Sequence, residues 1–329
     1  MSTELLNPSS SGRPETALRI SQQAPDVLKR TAKTSLPFPL SVLFSSEKQE
    51  TWVELENLLV ACLRTGDDKS ARLCLDRLTS RFGEQNERIL ALRGLYEEAI
   101  AQDGKAVNAI LTTYYDNLLA EDPTNMPIRK RRIALLKSMS KTGDAIAGLV
   151  ELLVTSPIDA ESWAELADLY FSQNLFPQAI YCLEEVLLIV PNAWNMHARL
   201  GEVLFLSAES NSNARDAALK DLSNSLKRFC RSIELCDNYL RAFYGLKMVS
   251  SKLISLLEVE TKTVSKDKTG ELSVPDKATV ESLNELATSK LVEILRKGSS
   301  GEHGWDGYED AELVAIQALL DQTSQKVER

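Results

Sequence analysis

Residues 157–191 have the sequence PIDAESWAELADLYFSQNLFPQAIYCLEEVLLIVP, which begins and ends with proline. Pro123 precedes Pro157 by the same 34 residues that separate Pro157 from Pro191. Small and apolar residues recur with this period, which indicates tandem copies of one structural unit. The matching pairs are Ala145 with Ala179, Leu149 with Leu183, Leu136 with Tyr170, and Leu152 with Val186.

A period of 34 residues is the signature of the tetratricopeptide repeat, in which two antiparallel helices form a hairpin and successive hairpins stack. In the quoted stretch, Ala167 and Ala179 allow the two helices to approach closely, and Pro191 stops the second helix. Trp163 and Tyr170 fill the space toward the neighbouring repeat. We therefore predict an all-α fold, a right-handed tetratricopeptide-repeat solenoid of helix–turn–helix units.

Composition divides the chain into four predicted segments. Residues 1–46 are interrupted by prolines and poor in large apolar residues, so we predict a disordered or extended N-terminal arm. Its apolar stretch, residues 36–40, is either a linker or an extended segment that docks onto the first repeat or a partner. Residues 47–258 form the solenoid, residues 259–278 a flexible loop, and residues 279–329 the C-terminal capping helices.

Two of the five repeats depart from the regular length. In the second repeat, Gly94 and Pro123 are 29 residues apart, which is about five more than the motif expects. We predict that these extra residues lengthen the turn at 102–104. In the fifth repeat, a Ser- and Asn-rich stretch at 207–214 predicts a longer loop between the two helices.

The composition excludes several classes of protein. The 329-residue chain has a formal net charge of −9, which does not suit a general nucleic-acid binder. No apolar run approaches the roughly 20 residues of a membrane-spanning helix, and residues 1–20 lack the apolar centre of a secretory signal. We expect no nucleic-acid partner.

The chain carries no motif that indicates catalysis. It lacks a dinucleotide-binding glycine pattern, a phosphate-binding loop with lysine, and a serine nucleophile elbow. His197 and His303 have no neighbours at metal-ligand spacing, so we predict no metal site, no cofactor and no enzymatic activity. The cysteines form no C-x-x-C pair and are expected to be buried and reduced. They are Cys62, Cys74, Cys182, Cys230 and Cys236.

The concave face of such a solenoid binds partners through the first helix of each repeat, at its second, fifth, ninth and twelfth positions. Phe171 and Phe205 stand at twelfth positions, where an aromatic side chain either contributes binding energy or packs against an adjacent helix or loop. The predicted partner-binding residues are Lys130 and Lys137 in the third repeat, Glu161, Asp168 and Phe171 in the fourth, and Asn195, Glu202 and Phe205 in the fifth.

The sequence bears on two more specific binding modes. Repeats that capture the acidic tails of chaperones use Lys, Asn and Arg, but the corresponding residues here are Ala134, Glu165 and Asp168, which disfavours that mode. The basic run at 129–132 is either a patch for nuclear import or phosphate binding, or an exposed helix segment that pairs with nearby glutamates or an acidic partner.

Several runs of residues are more specific than the generic repeat motif. Together they resemble subunit 2 of the endoplasmic reticulum membrane protein complex, over about residues 50–250. The arm, the expanded second repeat and the stretches at 207–216 and 259–278 depart from that family's pattern. The runs are AEDPTN at 120–125, IRKR at 128–131, ESWAELADLY at 161–170, YCLEE at 181–185 and AFYGL at 242–246.

The resemblance implies a non-catalytic scaffold on the cytosolic face of the endoplasmic reticulum membrane, associated with that membrane only through its partner proteins. In that family the solenoid cradles cytosolic parts of membrane subunits 3 and 5 and binds the soluble subunit 8 or 9. The whole complex inserts tail-anchored and multipass membrane proteins. The alternative is a free tetratricopeptide-repeat adaptor that binds peptides transiently in the cytosol or nucleus, which the basic run at 129–132 supports best.

Overall fold

A computed structural model describes residues 3–6, 14–32, 49–210, 215–260, 275–305 and 307–327. Every regular element in these ranges is helical, and the helices form successive antiparallel hairpins, so the predicted all-α tetratricopeptide-repeat fold is confirmed. The chain divides into two compact units, Met1–Gly148 and Leu149–Arg329. The apolar stretch 36–40 lies outside the described residues.

The N-terminal unit holds a short N-terminal helical segment and the helices of the first repeats. α10 begins in this unit and extends past its boundary. The elements are α1 (Thr3–Leu6), α2 (Pro14–Gln22), α3 (Ala24–Ala32), α4 (Gln49–Thr65), α5 (Asp68–Phe82), α6 (Glu87–Ile100), α7 (Gly104–Ala109), a π-helix (Ile110–Tyr115), α8 (Asp116–Glu121), α9 (Met126–Ser138) and α10 (Thr142–Thr155).

Within its described residues, the C-terminal unit contains the end of α10, three helical hairpins and a last helix. Its first two hairpins are the fourth and fifth repeats, and a third hairpin of two long helices follows them. The elements are α11 (Ala160–Ser172), α12 (Phe176–Ile189), α13 (Trp194–Ser210), α14 (Arg215–Leu235), α15 (Leu240–Glu260), α16 (Lys277–Ser299) and α17 (Asp310–Val327).

The periodic prolines mark the ends of second helices. α8, α10 and α12 each end two residues before Pro123, Pro157 and Pro191, because proline cannot continue the backbone hydrogen bonds of a helix. After Pro123, Asn125 caps α9 by accepting a hydrogen bond from the backbone N–H of Ile128 over 3.1 Å. The same short sequence therefore stops one helix and starts the next.

Residues 14–32 differ from the predicted disordered or extended arm. They form α2 and α3, which pack against α4 and α5. Pro14 begins α2 and Pro25 lies in the first turn of α3, where the N–H that proline lacks would have no partner within the helix. These prolines therefore limit helix length without preventing helices.

Polar contacts attach this N-terminal segment to the first repeat. Arg30 forms an ion pair with the buried carboxylate of Glu54 on α4. Asn57 Nδ2 donates to the carbonyl of Leu5 over 2.8 Å, and Arg77 Nη1 donates to the carbonyl of Leu28 over 2.7 Å. Leu5 and Leu28 also belong to the apolar core of the first repeat.

The second repeat accommodates its extra residues within a helix, so the predicted longer turn is wrong. α6 ends at Ile100 and α7 begins at Gly104, with the side chain of Asp103 accepting from Ala106 N over 2.8 Å. The second helix continues through the π-helix Ile110–Tyr115, whose wider turn absorbs an inserted residue. The second helix of this repeat thus changes its type, and the turn at 102–104 is not lengthened.

The fifth repeat also contains less loop than predicted. α13 extends to Ser210 and α14 begins at Arg215, while residues 211–214 lie outside the described part of the chain. Ser207 is buried, and its hydroxyl hydrogen-bonds to Asp221 Oδ2 over 2.9 Å. This contact between the two helices extends the hairpin into the stretch predicted as loop.

The C-terminal segment forms a hairpin and a covering helix. α15 and α16 pack along their length, and α17 packs against the end of this hairpin through Ile316 and Leu319. Of the predicted flexible loop 259–278, residues 261–274 lie outside the described ranges, whereas α15 and α16 include residues on both sides. The division of the chain into four predicted segments otherwise stays a prediction.

Candidate protein-binding groove

The C-terminal unit contains an open groove of about 860 Å³. Most of its lining comes from the first helices of consecutive hairpins, α11, α13 and α15, and from α17, with Leu183 of α12, Phe229 of α14 and Tyr239 before α15 completing it. We call it the first-helix groove. Its lining residues are Ala164, Asp168, Leu183, Asn195, Met196, Ala198, Arg199, Glu202, Phe205, Leu206, Phe229, Tyr239, Leu240, Arg241, Tyr244, Gly245, Met248, Glu312 and Ala315.

Asp168, Asn195, Glu202 and Phe205, four of the eight predicted binding residues, line this groove together. The other four predicted residues lie outside the lining. Phe171 and Glu161 lie on α11, and Lys130 and Lys137 lie on α9 in the N-terminal unit. That any of the eight binds a partner stays a prediction.

Arg199 organises the charges of the groove. Its Nη2 lies 2.9 Å from Asp168 Oδ1, and its Nη1 lies 2.7 Å from Glu202 Oε2. The guanidinium carbon is 4.4 Å from the ring centroid of Phe171, which places a cation over an aromatic face. Burial alone would lower the pKa of Arg199, but hydrogen bonds and charges from Glu202 and Asp168 raise it. The groove therefore presents paired charges rather than an isolated cation.

Aromatic side chains supply much of the apolar surface of the groove. Tyr239 stacks edge-on against Trp194, with ring centroids 4.5 Å apart, and burial raises the pKa of its phenol. Phe205 is half-buried, lines the groove and packs against the core of the fifth repeat, so the packing role considered for it is observed and its role in binding stays a prediction. Beneath the groove, Phe229 is 3% exposed.

The last helix forms one wall of the groove. Glu312 on α17 accepts from Arg241 Nε on α15 over 3.3 Å. Before that helix begins, the Tyr308 hydroxyl donates to the carbonyl of Asn238 over 2.9 Å. These contacts join residues about 70 positions apart in sequence, and they place a carboxylate at the edge of the groove.

Fifteen of the nineteen lining residues were not predicted from the sequence, and four of these bear on the positional rule. Arg241, Tyr244 and Met248 occupy the second, fifth and ninth positions of α15, counted from Leu240. The same positional rule, applied to one more helix, would have identified them. Arg199 stands at a sixth position, which the rule leaves out, although its partners Asp168 and Glu202 are both ninth-position residues.

The basic run on α9 forms contacts within its own unit. Arg131 pairs with both carboxylate oxygens of Glu98, and Arg132 Nε lies 2.7 Å from Asp116 Oδ1. Arg129 Nε donates to the carbonyl of Pro123 over 2.6 Å. Pairing with nearby acids is thus observed for two of the arginines.

Within the residues whose positions the structure describes, no group of three or more His, Cys, Asp or Glu side chains is arranged to bind a metal ion. In the same residues, no helix combines the length and the apolar character that crossing a bilayer requires.

Comparison with known proteins identifies the family. Residues 90–219 match the sequence profile described as the EMC2 TPR-like repeat domain. The TPR repeat protein oca3 of Schizosaccharomyces pombe is 36% identical over 245 residues, which cover 74% of this chain and 82% of that protein. The chain belongs to the ER membrane protein complex subunit 2 family.

Further comparisons agree with this assignment. ER membrane protein complex subunit 2-B of Xenopus laevis is 32% identical over 206 residues, covering 63% of this chain and 64% of that protein. The chain thus spans somewhat less than two thirds of this subunit 2 relative. Among solved structures, the C-terminal part of a TPR repeat-containing protein from Cytophaga hutchinsonii has a TM-score of 0.50 at 11% identity, covering 85% of this chain and 95% of that one. This likeness concerns the fold alone.

Proposed function

We propose that the protein is a non-catalytic scaffold subunit of an ER membrane protein complex, and that it binds cytosolic segments of partner subunits in the first-helix groove. It is a peripheral component at the cytosolic face of the membrane. It supports the insertion of tail-anchored and multipass proteins by keeping its partners in a fixed arrangement.

The groove is the observation that carries this proposal. Its aromatic side chains offer the kind of surface that anchors a bound segment. The ion pairs of Arg199 with Asp168 and of Arg241 with Glu312 restrict these charged side chains before a partner binds, which lowers the entropy cost of binding. A rigid groove between consecutive first helices suits a stable subunit contact.

Membership of the family suggests the partners. In relatives named as subunit 2, the chain is part of the ER membrane protein complex. By the same resemblance, the partners of this chain are membrane subunits 3 and 5 and the soluble subunit 8 or 9. A role as a free nuclear adaptor receives less support, because Arg131 and Arg132 form ion pairs within their own unit.

The test is purification of the tagged full chain from membranes in mild detergent, followed by mass spectrometry of the co-purifying proteins. The expected result is stoichiometric recovery of a complex with several membrane subunits. Arg241→Glu, which reverses a charge on a side chain that is 72% exposed, should reduce that recovery at least severalfold. Lys220→Glu, the same reversal at an exposed position of α14, is the matched control and should leave recovery unchanged.

A second variant addresses the aromatic residues. Phe171→Glu combined with Phe205→Glu should weaken partner recovery while the far-UV circular dichroism of the chain stays helical. Unfolding of this variant would assign both rings to the core. The comparison of Arg241→Glu with Lys220→Glu would then decide whether partners bind in the first-helix groove. Recovery of the wild-type chain mainly as a free protein, or with nuclear or chaperone partners, would overturn the proposed function.

A further inference from the structure

One side-chain contact recurs at three of the turns between repeats. In each, the fourth residue of a first helix donates a hydrogen bond to the carbonyl of the proline six residues earlier, which follows the preceding repeat's second helix. The donor groups differ in chemistry, but their register is the same. We call this contact the turn clamp. It joins Arg129 Nε to Pro123 over 2.6 Å, Trp163 Nε1 to Pro157 over 2.8 Å, and His197 Nε2 to Pro191 over 3.0 Å.

The backbone of these turns leaves the proline carbonyl to the side chain. Each turn is closed by the N–H two residues after the proline, which donates to the residue before the proline over 3.2 to 3.4 Å. In the described part of the chain, no backbone N–H donates to the carbonyls of the three prolines. The turn clamp therefore gives this acceptor a donor, and it ties the start of one repeat to the end of the previous one.

The turn before α15 has neither the proline nor the donor. Asp237 stands in the place of the proline, and the fourth residue of α15 is Phe243, which is 4% exposed and has no polar atom in its side chain. The backbone still closes in the same way, over 3.3 Å. Here the donor is the hydroxyl of Tyr308, which reaches the carbonyl of Asn238 over 2.9 Å.

Tyr308 is fixed by the C-terminal segment to which it belongs. Its ring packs in the same apolar cluster as Phe243 of α15 and Ile316 of α17. Burial is the main cause that raises the pKa of its phenol, so the hydroxyl keeps the proton that it donates. α17 begins two residues later and places Glu312 in the wall of the first-helix groove. One segment thus holds the turn before α15 and completes the groove.

We infer that Trp163, His197 and Tyr308 are positioning residues of the first-helix groove, one for each of the helices α11, α13 and α15. Each donor fixes the direction in which its helix leaves the turn. A tilt of about 10° at the turn would move a residue eight positions along the helix, about 12 Å away, by about 2 Å. Such a shift breaks contacts at van der Waals distance, so the clamps keep the groove preformed.

This role rests on the proposed function only where a partner is concerned, because the clamp itself is measured on the free full-length chain. The measurement is amide hydrogen exchange followed by mass spectrometry of peptic peptides. It reports how often each turn opens, since the amides of the turn and of the first helical residues exchange only when their hydrogen bonds break.

Two substitutions at Trp163 separate the donor from the volume of the ring. Trp163→Phe keeps an aromatic ring without an N–H, whereas Trp163→His keeps an N–H in a smaller ring, which reaches the equivalent carbonyl in the next repeat. We expect exchange of residues 156–163 to rise about fivefold in the Phe variant and to stay within twofold of wild type in the His variant. Exchange in the His variant as fast as in the Phe variant would overturn the inference.

The reciprocal pair at His197 keeps the test decisive if a Trp163 variant fails to fold, as judged by circular dichroism. His197→Phe removes the donor and should speed exchange of residues 190–197. His197→Trp supplies the donor that the fourth repeat uses at this position, and should exchange more slowly than the Phe variant. Equally fast exchange in the two His197 variants would show that the hydrogen bond does not hold the turn.

Tyr308→Phe tests the donor that comes from the C-terminal segment. Loss of one hydroxyl should speed exchange of residues 236–243 about fivefold and leave residues 190–197 unchanged. Tyr170→Phe, which removes a phenol hydroxyl on α11, is the matched control and should leave residues 236–243 unchanged. An unchanged rate at 236–243 in Tyr308→Phe, or equal acceleration in both segments, would overturn its assignment as a clamp.

Recovery of partners connects the clamp to the groove. In the affinity purification described above, Tyr308→Phe should reduce recovery of the complex at least twofold while its far-UV circular dichroism stays that of the wild type. Full recovery with a variant that exchanges faster at 236–243 would overturn the positioning role. If the wild-type chain recovers no complex, the proposed function fails, and the exchange rates of the Trp163 and Tyr308 variants still decide whether the clamps hold the helices.

Discussion

The second and fifth repeats bring an aromatic ring against the backbone of a neighbouring helix in two different ways. In the second repeat, Tyr115 lies so close to Gly94 that a Cβ atom there would be 2.3 Å from the tyrosine hydroxyl. In the fifth repeat, Phe229 lies between Gly201 and Gly245, where added Cβ atoms would be 3.0 Å and 2.2 Å from its ring. Glycine makes both contacts possible.

The difference lies in what the aromatic side chain requires. Tyr115 is fully buried, so its hydroxyl needs a partner, and it donates to Glu98. Glu98 in turn accepts from Arg131 Nε over 2.9 Å, which connects the second repeat to α9. Phe229 has no polar atom, so its contact needs only space. The buried tyrosine hydroxyl therefore comes with a carboxylate and a guanidinium close to the interior, whereas the contact of Phe229 with the two glycines involves no charged group.

The largest loss of stability is expected from Glu98→Ala. The change leaves the Tyr115 hydroxyl and the mostly buried Arg131 guanidinium without their shared partner, and should lower the free energy of unfolding by about 3 kcal/mol. Urea denaturation followed by circular dichroism measures this. Glu97→Ala, one residue earlier on α6, is the control; equal losses in the two variants would show that the network does not stabilise the second repeat.

The next largest loss of stability is expected from glycine substitutions around Phe229 of the fifth repeat. Gly245→Ala should lower the free energy of unfolding by about 2 kcal/mol, because the new Cβ atom overlaps the buried Phe229 ring. Gly201→Ala should cost less, since its Cβ atom would be farther from the ring. Gly143→Ala has open space and serves as the control in the same measurement. A cost at Gly201 equal to or above that at Gly245 would contradict this account.

Local periodicity predicted the parts of the fold that depend on neighbours in sequence. The prolines at 123, 157 and 191 correctly marked helix ends, and positional rules brought Asp168, Asn195, Glu202 and Phe205 to one groove. These inferences succeed because the helix period and the repeat length together determine which residues share a face.

Other features depend on contacts between residues far apart in sequence, or on whether extra residues enter a helix or a loop. The repeat period predicts neither. α2 and α3 are stabilised by contacts with α4 and α5, which their proline-interrupted sequence does not reveal. The π-helix replaced a predicted turn because an inserted residue can widen a helix instead of lengthening a loop. The Arg241–Glu312 pair joins positions 71 residues apart, so no repeat rule could find it.

A double-mutant cycle sharpens the comparison in the second repeat. Gly94→Ala alone overlaps the Tyr115 hydroxyl, whereas Tyr115→Phe removes that oxygen and leaves the ring carbons 2.7 Å from the new Cβ atom. The double variant should therefore be more stable than the sum of the single changes, by about 1 kcal/mol. Additive losses in urea denaturation would mean that the ring carbons, rather than the hydroxyl, determine the clash.

The smallest effect concerns pH and His197, which lies one turn before Gly201 on α13. Its ring is buried, with Nε2 3.0 Å from the carbonyl of Pro191 and Nδ1 without a hydrogen-bond partner among the described residues. Burial lowers the pKa of His197 below its ordinary value of 6.5, so below that pH the unfolded chain binds more protons than the folded chain. The free energy of unfolding should therefore fall as pH falls from 6.5 toward the lowered value, and be independent of this group at higher pH.

His197→Gln should reduce that pH dependence, because the replaced side chain no longer takes up a proton on unfolding. The measurement is urea denaturation of the wild-type and variant chains at several values between pH 7.5 and 5.5. His303→Gln removes the other histidine, which is exposed, and should leave the slope unchanged. If both variants lose the same slope, the acid sensitivity does not come from burial in the fifth repeat, and the contrast with the second repeat would rest on the glycine contacts alone.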